Sequence, residues 1–231
     1  MQGAEPSPID LVIFDLDDVL AALDRPRRLR WLAAATGKAP EHFNATIWHA
    51  DFEPAAEAGA YPTGAEYLAE FNRRSGCALT REQWVQARRQ AMTVDPEVLA
   101  IARELSARGR IALLTNNGAL LKESLAELVP EVAALFGDGG HASCEFRARK
   151  PDPAVYARLV AQAGVLPARA LMIDDDPGNV QGARDAGLQG LRFLGPARLR
   201  ADLAALGLCA PAAADGPVPN LPGGVDQGLV R

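Results

Sequence analysis

The chain has 231 residues, 48% hydrophobic and 23% charged, an ordinary globular composition with length for one full core and at most a small second domain. A net charge of −5 without a basic block argues against nucleic acid as a main partner and against an anionic membrane surface. No run approaches ~20 apolar residues, so no transmembrane helix is expected, and the polar, acidic start Met1 to Pro8 lacks the basic and apolar regions of a signal peptide.

In chain order, Leu11 to Phe14 is an apolar run ended by acids, which reads as a strand buried on both faces. Residues 21–95 read as helical, in the segments Leu29–Thr36, Pro40–His49, Gly64–Ser75 and Thr80–Met92. Thr63 is a candidate cap for the third, and Thr80 with Gln83 resembles a capping box for the fourth. No convincing strand interrupts them, so the pattern predicts a helical insertion, the shape of a lid or cap. A helix over Glu97–Ala107, closed at Arg108 and Gly109, leads to an apolar strand, Ile111–Thr115. Then come a helix over Pro153–Ala163, a strand Ala170–Asp174, a helix Asn179–Ala186 stopped by Gly187, and a strand Gly190–Leu194. Strands alternating with helices predict an α/β fold with a doubly wound parallel sheet. The expected domains are an α/β core over 9–20 and 96–208, a helical cap over 21–95, and a disordered tail over 209–231, rich in Ala, Pro and Gly. Cys77, Cys144 and Cys209 are far apart and form no C-x-x-C; they read as small buried apolar residues and fit a reducing cytoplasm.

The chemistry concentrates at strand ends. Asp15, Asp17 and Asp18 follow the first strand, and three carboxylates so close repel and lose hydration unless a cation compensates. A divalent metal is the simplest such cation. In a parallel sheet the carboxyl ends of all strands share one edge. That edge would gather Asp15, Asp17 and Asp18 with Thr115-Asn116-Asn117-Gly118 and Asp174-Asp175-Asp176, while Lys150 of Lys150-Pro151-Asp152-Pro153 stands just before a helix.

Together these motifs resemble the haloacid dehalogenase-like hydrolase superfamily, over about residues 9 to 208. The matching features are Asp15-Leu16-Asp17, Thr115, Lys150, and the pair Asp174-Asp175 followed by Asn179-Val180 and Ala183-x-x-x-Gly187. The resemblance implies a Rossmann-like core and a Mg²⁺-dependent phosphatase. Asp15 would attack phosphorus and form an aspartyl-phosphate, and Asp17 would serve as acid and then base. Mg²⁺ would be held by the Asp15 carboxylate, the Asp17 backbone carbonyl and Asp175, with Asp174 behind them. Thr115 and the Asn116 backbone N–H would bind phosphate, and Lys150 would balance charge on Asp15 and phosphate. Asp176, followed by Pro177, reads as a helix cap. The role of Asp18 stays open. Arg147 stands where the similar loop motif usually has Gly.

Members that cleave carbon–halogen bonds usually lack the second Asp, so Asp17 favours phosphoryl chemistry. A phosphomutase, a dehalogenase and a catalytically silent regulatory member remain as alternatives. The expected substrate is a small phosphorylated metabolite such as a sugar phosphate, acted on by a monomer or homodimer. Its identity should be set in the helical insertion, where Arg27, Trp48, His49, Glu57 and Tyr61 are candidates. Glu57-Ala58-Gly59 with Thr63 also resembles a structural pattern of capped members.

Overall fold

The computed structural model describes residues 9–211. A five-stranded parallel sheet is built from β1 (Leu11–Phe14), β4 (Arg110–Thr115), β5 (Gly140–Ala142), β6 (Ala170–Asp174) and β7 (Gln189–Arg192), in the order β5-β4-β1-β6-β7. β1 sits centrally, with Leu11 opposite Arg110 on one side and Ala170 on the other. Its side chains alternate between two apolar layers: Val12 and Phe14 join one, Leu11 and Ile13 the other. That is the period of two expected of a strand covered on both faces.

The covering helices are α6 (Pro96–Ser106), α7 (Ala119–Leu128), α8 (Pro130–Phe136), α9 (Pro153–Ala163), α10 (Pro177–Asp185) and α11 (Pro196–Ala205), completing a doubly wound α/β arrangement. Local chemistry sets several starts. Asp95, Asp152 and Asp176 accept backbone N–H groups at the N-termini of α6, α9 and α10, each with Pro in the first turn.

Between β1 and β4 lies the insertion, with α1 (Arg25–Thr36), α2 (Pro40–Phe43), a π-turn over Asn44–Trp48, α3 (Phe52–Glu57), α4 (Gly64–Ser75) and α5 (Arg81–Arg89). Thr63 with Glu66, and Thr80 with Gln83, form reciprocal capping boxes for α4 and α5. Phe43, Phe52, Phe71 and Trp84 belong to the same apolar cluster as Phe14 and Leu113, so the insertion shares a continuous core with one sheet face.

Several expectations need correction. The stretch 21–95 is not free of strands: β2 (Ala21–Leu23) and β3 (Met92–Val94) pair antiparallel where the chain enters and leaves the insertion. Three-residue strands are too short to show a period. The helix expected through Met92 therefore ends at Arg89, and the one expected through His49 breaks at Phe43 into the π-turn. The strand expected to reach Leu194 stops at Arg192, leaving Leu194 exposed. The elements α3, α7, α8, α11 and β5 escaped the sequence reading. At the carboxyl end, Cys209 is buried and the Ala210 N–H donates to Glu104 Oε1 at 3.0 Å, so the packed chain runs past 208. The remainder of the expected tail, 212–231, lies outside the described residues.

Candidate active site

β1 delivers Asp15 at its tip, where the Asp15 N–H bonds the Ile173 carbonyl at 3.0 Å and carries the ladder one residue further. The chain then turns sharply. Asp18 takes a left-handed conformation (φ 60°), its N–H donates to the Ala21 carbonyl at 2.8 Å, and its carboxylate accepts the Leu23 N–H at 3.0 Å. Asp18 thereby builds the turn into β2.

Lys150 is the hub of the site. Its side chain is fully buried, and its ammonium lies 2.9 Å from Asp15 Oδ1 and 2.6 Å from Asp174 Oδ2. Burial alone would lower its pKa, but the two carboxylates outweigh this and hold the ammonium above its ordinary range. Burial pushes the Asp15 carboxyl up, against the pull of Lys150. Asp174 accepts three hydrogen bonds: Oδ1 takes the Asp176 N–H and Asn179 Nδ2, both at 3.0 Å, and Oδ2 takes Lys150. Asp175 is half-buried, and its pKa is raised by burial and then by Asp174.

The loop that presents Lys150 is held from two sides. The Lys150 N–H donates to Asn116 Oδ1 at 2.8 Å, and Asn116 Nδ2 donates to the Lys150 carbonyl at 2.9 Å. This reciprocal pair ties the loop after β4 to the Lys150 loop. On the other side, α10 approaches so closely that a Cβ on Gly182 would lie 2.1 Å from the Pro151 carbonyl oxygen. Arg147, upstream, is also left-handed (φ 47°), which explains why glycine is usual there.

Carboxylate oxygens of Asp15, Asp174 and Asp175 all lie within 4.8 Å of one another, a grouping that can hold a metal ion. The donors are all oxygens, which suits Mg²⁺, and Asp15 Oδ2 accepts no hydrogen bond among the described residues. Asp174, which already accepts three hydrogen bonds, fits a supporting position better than a ligand position. The Asp17 carboxylate points elsewhere: Arg88 Nη2 lies 2.7 and 2.5 Å from its two oxygens, and Asn117 Nδ2 lies 3.4 Å from Oδ2. Only its backbone carbonyl remains as a possible ligand. Thr115, buried at the end of β4, accepts Asn117 Nδ2 at 2.7 Å, which leaves its own hydroxyl hydrogen free to donate.

Asp17 opens onto a cavity of about 310 Å³ between the sheet edge and the insertion. Trp48, His49 and Glu57 line it, as do Asn116 and Asn117. Tyr61 and Arg27 do not: Tyr61 packs on Phe52, and Arg27 Nη2 bonds Gln90 Oε1. Glu57 accepts Arg149 Nε at 2.5 Å, its own carbonyl accepts the Ser143 hydroxyl at 2.8 Å, and burial pushes its carboxyl up to about 7. Sequence reasoning missed Arg28, Arg88, Arg149, Glu53 and Trp84, all of which line the same cavity. The missed signal was helical phase: Arg28 lies four residues before buried Leu32, and Arg88 four after buried Trp84.

A 66-residue stretch is 42% identical to the chloroplast flavin mononucleotide hydrolase 1 of Arabidopsis thaliana, covering 29% of this chain and 27% of that protein. A HAD-family enzyme of Bacteroides thetaiotaomicron, solved with magnesium and inorganic phosphate, superposes with a TM-score of 0.65 at 21% identity, over 80% of this chain and 93% of that one. The L-2-haloacid dehalogenase of Xanthobacter autotrophicus does so with a TM-score of 0.59 at 20% identity, over 87% and 85%. At these identities the two structures speak for the fold. The family model for haloacid dehalogenase-like hydrolases matches residues 9–187, so the chain belongs to that hydrolase family.

Proposed function

We propose that this hydrolase is a Mg²⁺-dependent phosphatase that cleaves a small phosphorylated metabolite through an aspartyl-phosphate on Asp15. The observation that carries the reading is the division of labour among the acids. Asp15 sits against buried Lys150 with one oxygen uncommitted, while Asp17 faces the cavity where a leaving group would lie. Members that cleave carbon–halogen bonds usually lack that second acid.

Bound among Asp15, the Asp17 carbonyl and Asp175, Mg²⁺ would supply charge neutralisation for the phosphate. The chain's own groups do the rest. An Asp15 oxygen forms a bond to phosphorus as the phosphorus–oxygen ester bond breaks, and the departing oxygen takes its proton from Asp17. Water then attacks the aspartyl-phosphate, Asp17 takes up the water proton, and inorganic phosphate leaves with Asp15 restored. The Thr115 hydroxyl and the Asn116 N–H hold phosphate oxygens. Lys150 offsets the charge shared by Asp15 and phosphate without giving up a proton.

The insertion over 21–95 acts as the cap that reads the leaving group. Sugar phosphates and flavin mononucleotide, the latter suggested by the Arabidopsis relative, head the substrate panel. A reducing compartment such as the cytoplasm suits three unpaired cysteines. Among the described residues, no helix is long and apolar enough to cross a membrane. Purified protein should release phosphate from p-nitrophenyl phosphate only with Mg²⁺, and Asp15→Asn should abolish release. No release from any of a broad panel of phosphate esters sinks the proposal, and halide release from 2-haloacids would replace it with the dehalogenase reading.

A further inference from the structure

Arg28 and Arg88 occupy core-facing positions of α1 and α5, and each is only 4% exposed. A guanidinium removed from water normally finds acceptors for its N–H groups, since losing them is costly. Arg88 gives Nη2 to Asp17. The Arg28 guanidinium carbon lies 5.1 Å from the centre of the Trp48 ring and 5.0 Å from that of Trp84. Those rings attract its charge but accept nothing from its N–H edge. Arg28 Nε and Nη2, Arg88 Nε and Trp84 Nε1 are buried and meet no acceptor among the described residues. All three residues line the cavity that Asp17 faces.

The geometry of the unpartnered atoms is informative. Nε and Nη2 form one edge of the planar guanidinium, with parallel donors spaced for two oxygens of one oxyanion. Of the acids nearby, Asp17 pairs with Arg88 and Glu57 with Arg149, while Glu53, whose Oε1 accepts the Tyr67 hydroxyl at 2.8 Å, attracts Arg28 without accepting a hydrogen bond from it. The protein thus presents a buried fork whose Nε and Nη2 meet no acceptor among the described residues.

We infer that the substrate carries, besides the phosphate that reacts, a second oxyanion on its organic part, held by the Nε/Nη2 edge of Arg28 with Trp84 Nε1 beside it. This rests on the phosphatase reading and narrows its substrate class to small phosphate esters that also bear a carboxylate or another phosphate. A cavity of about 310 Å³ fits such a molecule and not a polymer. An anion there also relieves the repulsion between Arg28 and Arg88. Burial and then Arg88 press the Arg28 pKa down to about 10, which leaves it charged at neutral pH.

The test compares esters that differ only in the acid: phosphoserine against phosphoethanolamine for a carboxylate, and fructose bisphosphate against fructose monophosphate for a phosphate. Wild-type protein should show a kcat/KM at least about tenfold higher for the acidic member of one pair, as expected of charged hydrogen bonds. The pair that shows it identifies the anion. Arg28→Lys, which keeps the charge and loses the fork, should bring that ratio close to one, and Trp84→Phe, which keeps a ring and loses the donor, should lower it in part. Equal turnover within both pairs overturns the inference and leaves the phosphatase standing. Failure on p-nitrophenyl phosphate and every other ester overturns the phosphatase instead. Malonate reads the anion site without turnover: a rise in melting temperature in wild type that Arg28→Lys loses supports it, and no rise in wild type refutes it.

Discussion

Replacing Lys150 by Met keeps most of the side-chain volume and removes one buried charge. The ammonium contacts Asp15 at 2.9 Å and Asp174 at 2.6 Å, and its loss leaves two buried carboxylates facing each other. Breaking a buried ion pair from one side costs about 3–5 kcal/mol, because the remaining charge is uncompensated. Here the lower end applies. Asp174 keeps the Asp176 N–H and Asn179 Nδ2, and Asp15 keeps the Leu16 N–H at 2.7 Å. A loss of about 3 kcal/mol corresponds to a fall of ~6–12 °C in Tm for a chain of this size. Urea denaturation of metal-free wild type and Lys150→Met at neutral pH measures it directly. Two further signs identify the mechanism. The deficit should shrink at acid pH, where protons neutralise the carboxylates, and Mg²⁺ should stabilise the variant more than wild type. A loss below about 1 kcal/mol, or one unchanged by both treatments, would refute the view that Lys150 balances these acids.

Burial holds the Glu57 carboxyl above its ordinary 4.5, at about 7, against the pull of Arg149. The folded protein therefore keeps this proton more tightly than the unfolded chain, so the contribution is fully present below 4.5 and is lost as pH rises to about 7. Thermal melts should show the stability of wild type relative to Glu57→Gln falling across that window, by up to about 3 kcal/mol; a difference that grows with pH refutes the assignment. Gly182→Ala would put a Cβ 2.1 Å from the Pro151 carbonyl oxygen, against backbone that cannot swing aside. Denaturation should show a loss of about 1–3 kcal/mol, and phosphate release should fall as the Lys150 loop is displaced; unchanged stability would mean that α10 does not set the position of that loop.

The sheet and its site were legible because both rest on strong local signals. Apolar runs ending in acids mark β1 and β6, and Asp15, Thr115 and Asp174 stand at or just past the carboxyl ends of β1, β4 and β6. What escaped reading had no such signal. β2, β3 and β5 are three residues each, α3 carries Pro54 within six residues, and α7 starts at Gly118 without a side-chain cap. The arginines of the cavity were hidden for a different reason. A charged residue usually belongs to the solvated face of a helix, and only the phase of Leu32 and Trp84 turns Arg28 and Arg88 inward. Expecting Arg27 instead of Arg28 was an error of one position, which on a helix is a rotation of about 100°.

The β2–β3 ribbon also bears on how such a chain can diversify. The Asp24 N–H bonds the Ala91 carbonyl at 2.8 Å, and the Asp95 N–H bonds the Leu20 carbonyl at 2.9 Å, so the whole stretch from α1 to α5 leaves and rejoins the chain at nearly one point. A segment whose ends meet can be exchanged without stretching the chain at its points of attachment, provided that the replacement refills the apolar face it shares with the sheet. One contiguous graft would replace Arg28, Trp48, Trp84 and Arg88 together, while the bonds of Asp15, Lys150 and Asp174 stayed as they are. On the phosphatase reading, the sheet edge would be the fixed socket for phosphate, and recognition of whatever carries it would fall to the exchangeable insertion.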